Sequence, residues 1–487
     1  MRISPRLLPA ATLAAVLLGA CTAGPSAPAA SAAATPAVRP HDARHFTVDE
    51  AALPFEALEA PSIATDRWWG VEKGAGYRVE VPANWNGRLV MYAHGYRGAG
   101  EVLTPSLPHF RRALIESGYA WAASTYSAND YDVRAGIEDT NALALAFTRI
   151  AQDHGRALER PKRTYIIGHS MGGHIAAAAV EAETLARAHN KVSYAGAMPM
   201  CGVLGDLELF DYYAAYSLAA QQLAAVGPVG FPAVDWKAQA PEVVGHFFSS
   251  FPSPAAPLTP IRMRDTADAR ELKAIVMNLT GGPRPIFEEG FALSSNASAW
   301  STFGIGADAG GILLRRPQST MNTRYRFDVA AGPTPAEVAF NRDIPRAHAE
   351  PNADPPQPDG LRFVPQLTGA IGVPVLTLHN LGDLFVPFSM EQIYHQRVKA
   401  RGHSSLLVQR AIRSPLHCDF TAAEEAAGFR ALVDWVERGR QPGGDDVITP
   451  AKLAASDYGC RFTDNNVAAD ERDEGALRAT LPACRAP

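Results

Sequence analysis

The stretch with the most chemistry in it is Gly168-His169-Ser170-Met171-Gly172, which follows the apolar run Tyr165-Ile166-Ile167 and opens an Ala-rich segment. Glycines at both ends of such a pentapeptide allow a sharp strand-to-helix turn. That turn lifts a serine hydroxyl above a sheet and sets it at a helix N-terminus, where developing negative charge is favoured. A serine hydroxyl is a weak nucleophile until an imidazole takes its proton, and the imidazole needs a carboxylate to fix its tautomer and stabilise its cation. Both partners stand downstream. Asp383 lies in the loop His379–Pro387 after the apolar run Val373–Leu378, and His417 lies in Ser414-Pro415-Leu416-His417-Cys418. Asp206 is the rival acid, just beyond the preceding strand-like run, and His379 reads as a tie for the acid's turn. His395 and His403 fall on or just after a helix.

These residues need elements that bring them to one edge. Strand character is read at Tyr77–Val81, Leu89–Ala93, Tyr119–Ser124, Arg163–Gly168, Ser193–Met200, Val373–Leu378 and Ser405–Ile412. Helical spacing is read at Leu103–Ser117, Ala135–His154, Met171–His189, Met390–Arg401 and Thr421–Arg438. The order predicts an α/β fold, a mostly parallel sheet with helices on both faces, and the turn Pro82–Gly87 suits a hairpin. The alternation stops between Asp206 and Thr368, where a helix over Leu207–Ala225 leads into Pro-rich turns and Gly-rich pieces around Gly304–Gly311. An insertion before the strand that carries the acid reads as a cap over the ligand-binding edge. No period of 20–50 residues recurs.

With the serine, acid and histidine in that order, the chain resembles the α/β-hydrolase superfamily over roughly Tyr77 to Arg438 outside the insertion. The resemblance implies a triad of Ser170, Asp383 and His417 and an oxyanion hole from the backbone N–H groups of Met171 and Tyr96, the latter in His94-Gly95-Tyr96. It implies no metal and no organic cofactor. Tannases and feruloyl esterases, which the chain resembles in part, carry a disulfide between a cysteine before the serine and one after the histidine. Here His417-Cys418 supplies the second cysteine, and His169 stands at the first position.

The first residues carry Arg2 and Arg6, an apolar stretch Leu7–Leu18, and then Leu18-Gly19-Ala20-Cys21. This is the pattern of a signal peptide ending in a lipobox, with Cys21 as the lipidation site and an Ala/Pro/Ser/Thr tether behind it. Export to an oxidising compartment follows, as a membrane-anchored lipoprotein, at the outer membrane in a Gram-negative host, or as a secreted protein. Cys201, Cys418, Cys460 and Cys484 then remain, and no Cys-x-x-Cys zinc pattern exists among them. Pairing Cys201 with Cys418 and Cys460 with Cys484 is the economical reading, with a free buried Cys201 as its alternative. The expected organisation is a signal peptide (1–20), a lipidated tether (21–45), a first core part (46–205), the insertion (206–368), a second core part (369–439) and an irregular tail (440–487).

A net charge of −5, with no basic run, gives no footprint for nucleic acid. The expected partner is a small ester, with the membrane engaged only through the anchor. Ester hydrolysis through an acyl-enzyme leads, amide or peptide hydrolysis by the same triad is the rival, and a non-catalytic binding protein on the same scaffold is the third reading. Asn129-Asp130-Tyr131-Asp132 lacks the ligand spacing of a calcium loop and reads as a solvated turn. Trp68-Trp69 reads as a buried pair against the first strands or, alternatively, as the lining of a substrate groove.

Overall fold

Eight strands form one sheet through the middle of the chain: β1 (Thr65–Glu72), β2 (Ala75–Pro82), β3 (Arg88–Ala93), β4 (Ala120–Ser124), β5 (Arg163–His169), β6 (Gly196–Met200), β7 (Val375–Asn380) and β8 (Leu407–Ile412). The structure is a computed structural model that describes residues 44–59, 63–253, 255–256, 259–303, 316–328, 332–358, 360–465, 477–478 and 480–484. Cys21, the leader and the glycine-rich pieces at 304–311 lie outside the described residues. Across the sheet the order is β8-β7-β6-β5-β3-β4-β2-β1. β2 runs antiparallel to both its neighbours, and every other pairing is parallel.

β4, β6, β7 and β8 are buried along their whole length, as strands covered on both faces must be. Alternate side chains feed two cores. Leu89, Met91 and Ile166 face α2 (Val133–Asp153) and α3 (Met171–Ala178), while Val90, Tyr92 and Ile167 face α1 (Arg111–Glu116) and, further down the chain, the helix Ala422–Arg438. After α4 (Ala182–Arg187), the stretch between β6 and β7 holds α5 (Glu208–Ala224), α6 (Trp236–Phe247), α7 (Ala267–Leu279), α8 (Phe287–Phe291), α9 (Ser294–Trp300) and α10 (Pro335–Asp343). Then follow α11 (Ser389–Ala400) and α12 (Ala422–Arg438), the last opened by a capping box of Thr421 and Glu424. The expected fold class is what the chain adopts.

Several local expectations differ from what forms. The run Leu103–Ser117 is helical only over Arg111–Glu116, because Pro105 and Pro108 remove backbone donors and fix φ; Val102–Leu103 instead pairs with Thr47–Val48. The run Met171–His189 breaks between α3 and α4. There the buried Glu181 carboxylate accepts from the N–H groups of Gly369 and Ala370 and the hydroxyl of Thr368, and Ala182 N–H bonds Ala370 O. Pro82–Gly87 does not make a hairpin: β4, apolar on both sides, inserts between β2 and β3. Trp68 and Trp69 part company by strand alternation. Trp68 is buried and stacks on His154, whereas Trp69 is exposed beside Phe55 on the edge strand. Nor is the tail an appendage. Val447, Leu453, Tyr458 and Leu481 build a third core with Leu381, Phe388 and Ala411, beneath the loop after β7.

Candidate active site

Ser170 sits between β5 and α3 with φ 59 and ψ −121, a conformation few non-glycine residues adopt. The flanking glycines make it attainable. A Cβ on Gly168 would lie 2.1 Å from Gly172 O, and one on Gly172 would lie 2.0 Å from Ala93 O. Neither position has room for a side chain, so strand β5, the turn and helix α3 close directly against β3. The turn is tied to the next strand as Ser170 N–H bonds Met200 O.

Beyond the ends of β7 and β8 the other two candidates meet this serine. The Ser170 hydroxyl donates to His417 Nε2 at 2.8 Å, and His417 Nδ1–H donates to Asp383 Oδ2 at 2.6 Å. Asp383 is fully buried, and its other oxygen accepts from Phe385 N–H at 2.9 Å and Val386 N–H at 3.0 Å. Those two donors leave one carboxylate oxygen aimed at the imidazole. Phe385 adds its ring edge to His417, with centroids 5.3 Å apart. Cys418 is joined to Cys201, whose residue follows β6, and Cys460 to Cys484. Both Cys201 (φ 43) and Cys418 (φ 56) hold left-handed backbone, so the bridge fastens two turns rather than two regular segments. Cys201 Sγ, Cys418 Sγ and His417 lie within 4.8 Å of one another, but the sulfurs are bonded to each other and offer no thiolate to a metal.

The insertion does more than cover this edge. From α5, Tyr212 and Tyr213 donate their hydroxyls to Leu384 O at 2.8 Å and Phe385 O at 2.7 Å. Gly290 of α8 lies against the acid loop so closely that a Cβ there would be 1.9 Å from Gly382 O. The Ser295 hydroxyl points at the carbonyls of Gly290, Gly382 and Pro415, at 3.3–3.4 Å. One small cluster from the insertion thus touches the loop of Asp383 and the loop of His417 together. The tail reaches the histidine loop too, as Arg478 Nη1 bonds Glu424 at 2.8 Å and its Nη2 donates to Asp419 O. Sequence reading missed these supports. Tyr212 and Tyr213 fall on the helix read over Leu207–Ala225, whereas nothing in spacing marks Gly290 or Ser295.

On the other side of Ser170 runs His94-Gly95-Tyr96, where a Cβ on Gly95 would lie 3.1 Å from Ser170 Cβ. Met171 is the first residue of α3, so its N–H has no acceptor within the helix. The loop is set by His94, buried and stacked on Tyr126 at 4.0 Å, with its ring nitrogens at Gly95 O (2.7 Å) and Thr125 O (3.2 Å). Burial, helped by Arg97, pushes its pKa down to about 4, so the ring stays neutral. The segment Asn129–Asp132 is buried and pins this region, rather than being a solvated turn. Asn129 bonds Gly100 O and Val102 O, Asp130 pairs with Arg44, Tyr131 bonds His174, and Asp132 caps α2. Asp206 does not approach His417. It pairs with Arg397 at 2.6 Å and accepts from Leu367 N–H.

His169 occupies the position where the partly resembled esterases have a cysteine, and it makes a hydrogen-bond contact with a carboxylate instead. Its Nε2 is 2.8 Å from Glu425 on α12, which His109 also approaches at 3.2 Å. Against the effect of burial, the two imidazoles hold the Glu425 carboxyl down at about 2. Cys418, lacking a neighbour at 169, bonds across to β6.

No family model matches the chain. It is 32% identical over 92 residues to the o-phthalyl amidase of Xanthobacter agilis, a match that spans 18% of this chain and 20% of that protein. Among solved structures it is similar to feruloyl esterase B from Aspergillus oryzae (15% identity, TM-score 0.44, 82% of this chain and 86% of that one). It is also similar to another esterase from Aspergillus oryzae (12%, TM-score 0.40, 76% and 78%) and to an acylaminoacyl peptidase from Pyrococcus horikoshii (10%, TM-score 0.34, 79% and 43%). The fold assignment rests on the strands themselves. With the sheet order β1-β2-β4-β3-β5-β6-β7-β8, β2 alone antiparallel, and a serine at the sharp turn after β5, the chain has the fold expected of it, that of an α/β-hydrolase.

Proposed function

We propose that this protein is a serine hydrolase that cleaves carboxylic esters of small molecules through an acyl-enzyme. The observation that carries the reading is the continuous chain Ser170 Oγ to His417 Nε2 to Asp383, at 2.8 and 2.6 Å, with Asp383 fully buried. His417 takes the hydroxyl proton as Ser170 attacks the ester carbonyl, and Asp383 stabilises the imidazolium that forms. The N–H groups of Met171 and Tyr96 receive the oxyanion. His417 returns its proton to the leaving alcohol, and the same base then activates water to release the acid. Tyr131, Phe210, Tyr213 and Phe385 form a run of rings in contact that reaches His417, which suits an apolar or aromatic substituent on the substrate.

Amide hydrolysis is the second reading, favoured by the 92-residue likeness to an amidase. A fluorophosphonate probe should label the wild-type protein and leave Ser170→Ala unlabelled. A panel of aryl esters, alkyl esters of graded length and aryl amides then ranks the two bonds. Equal labelling of the variant would overturn the mechanism.

The two disulfides fit an extracellular or periplasmic protein, and no helix among the described residues is long and apolar enough to cross a membrane. We read Cys21 as the site of a thioether-linked lipid that holds the exported enzyme at a membrane. Fatty-acid labelling that disappears in Cys21→Ser is the expected result, and an unlabelled native product rejects the anchor.

A further inference from the structure

Arg284 lies between α7 and α8, in the insertion, with only 7% of its surface exposed. Its Nε donates to Leu381 O at 2.7 Å, Nη1 donates to Gly282 O at 3.0 Å, and both terminal nitrogens reach Thr280 Oγ1 at 3.3 Å. The guanidinium also covers the ring of Phe287 at 5.3 Å. Every one of these partners is neutral. Among the described residues no carboxylate lies within ion-pair distance of it, an unusual condition for a buried cation.

The groups that carry or can carry charge and act on it come from three sides. They are Asp383 on the loop after β7, Tyr212 on α5 and Tyr458 in the tail. The phenols are neutral at ordinary pH, their burial holding them protonated. Asp383 is then the anion whose field meets the guanidinium. Burial lowers the Arg284 pKa to about 10, which leaves the group charged at neutral pH.

We propose that Arg284 is a positioning residue for the triad: it grips the Leu381 carbonyl, two residues before the acid, and sets a positive charge behind Asp383 so that the Asp383–His417 pair does not hold a proton too tightly. The first role acts through geometry. Leu381 N–H bonds Ile412 O and Gly382 N–H bonds Ser414 O, so a shift at Leu381 moves the acid loop and the histidine loop together. The second acts through sign. A carboxylate beside an imidazole favours imidazolium, and a cation behind the carboxylate opposes that; without it His417 takes up a proton at higher pH and ceases to be a base sooner on acidification.

This inference rests on the hydrolase reading, and the test separates the two. The dependence of kcat/KM on pH is measured on an activated aryl ester for the wild type, Arg284→Met and Arg284→Lys. In Arg284→Met the acid limb should move up by roughly one pH unit, the effect of a charge about 12 Å away at an effective dielectric of about 20. In Arg284→Lys, which keeps the charge and loses the planar set of donors, the limb should stay in place. Its kcat should fall on the order of tenfold with KM unchanged. A folded Arg284→Met whose acid limb coincides with the wild type overturns the proposal. If that variant does not fold, Arg284→Lys decides: turnover equal to the wild type at every pH overturns it. A wild-type protein that cleaves no ester or amide is a different result, and it removes the hydrolase reading and this inference together.

Discussion

Ser170 and the two residues hydrogen-bonded in line with it are held in place by different physics. Around Ser170 the position is made locally, by backbone against backbone: Gly168 and Gly172 admit no side chain, Gly95 packs closely on the serine, and the turn is bonded to β6 next door. Around Asp383 and His417 the local bonds from Phe385 and Val386 N–H are backed at long range by groups from elsewhere: the side chains of Tyr212, Tyr213, Arg284 and Ser295 and the backbone of Gly290 from the insertion, Arg478 of the tail, and the Cys201–Cys418 bridge across 217 residues. A strained serine turn tolerates no slack, because the strain must be over-determined by its surroundings. An imidazole has to pass a proton in two directions. Its support is therefore built from hydrogen bonds, charge and one covalent link.

The largest effects should come from the groups that this contrast joins. Ser170→Ala and His417→Ala should each lower turnover by on the order of a millionfold, and Asp383→Asn by roughly ten thousandfold or more. Asp206→Asn should leave kcat near the wild type and lower stability, since its partners are Arg397 and Leu367. If Asp206→Asn proved the more damaging of the two, the acid would belong to the earlier strand.

Next come the glycines, one from each side. Gly168→Ala drives a methyl group to 2.1 Å from Gly172 O and should cost on the order of 3 kcal/mol or more, with probe labelling and folded yield lost together. Gly290→Ala, at 1.9 Å from Gly382 O, should separate the two readouts. Displacing the acid loop by about an ångström costs about a hundredfold in kcat, and the sheet remains folded. Replacing residues 206–368 by a short linker should likewise abolish activity on every ester, small activated ones included. A folded truncation that still hydrolysed a small ester would show that the insertion acts only as a cover.

A smaller effect is expected of the bridge. The double variant Cys201→Ala/Cys418→Ala should lose about tenfold in kcat through a looser histidine loop. Its unfolding free energy in urea should fall by about 2–4 kcal/mol. Cys460→Ala/Cys484→Ala should change stability alone, and equal losses of kcat in the two pairs would contradict a special role for the first.

The mildest test concerns pH, and it probes the dry side of the contrast. Burial pushes both His94 and His174 down to about 4, and each ring has its nitrogens engaged in the fold. The unfolded chain protonates them near 6.5 while the folded chain refuses the proton until about 4. Stability should therefore be complete above pH 6.5 and fall as the pH drops to 4, by roughly 3 kcal/mol for each ring. Urea midpoints measured across that window should fall less steeply in His174→Gln than in the wild type.

Ser170, Asp383 and His417 could be picked out from the chain because each stands beside an element whose signal is local: an apolar strand run, then a turn that glycine, aspartate or proline announces. The other strands followed from the same runs, but not the edge strand Thr65–Glu72 and not their places in the sheet: β4 lies between β2 and β3, a choice that depends on which partner buries both faces of Ala120–Ser124. Local sequence carries no record of who sits behind a loop. That Asp383 rather than Asp206 reaches the imidazole, that Cys418 finds Cys201, that His169 meets Glu425, and that Gly290 and Arg284 come to rest against the loop of Asp383 were decided only when segments far apart in sequence packed together. The chain alone marked which residues to look for at the site, because backbone sterics and side-chain type act over a few residues. Their distances and charges had to wait for the tertiary fold, because both are set by contacts across the whole molecule.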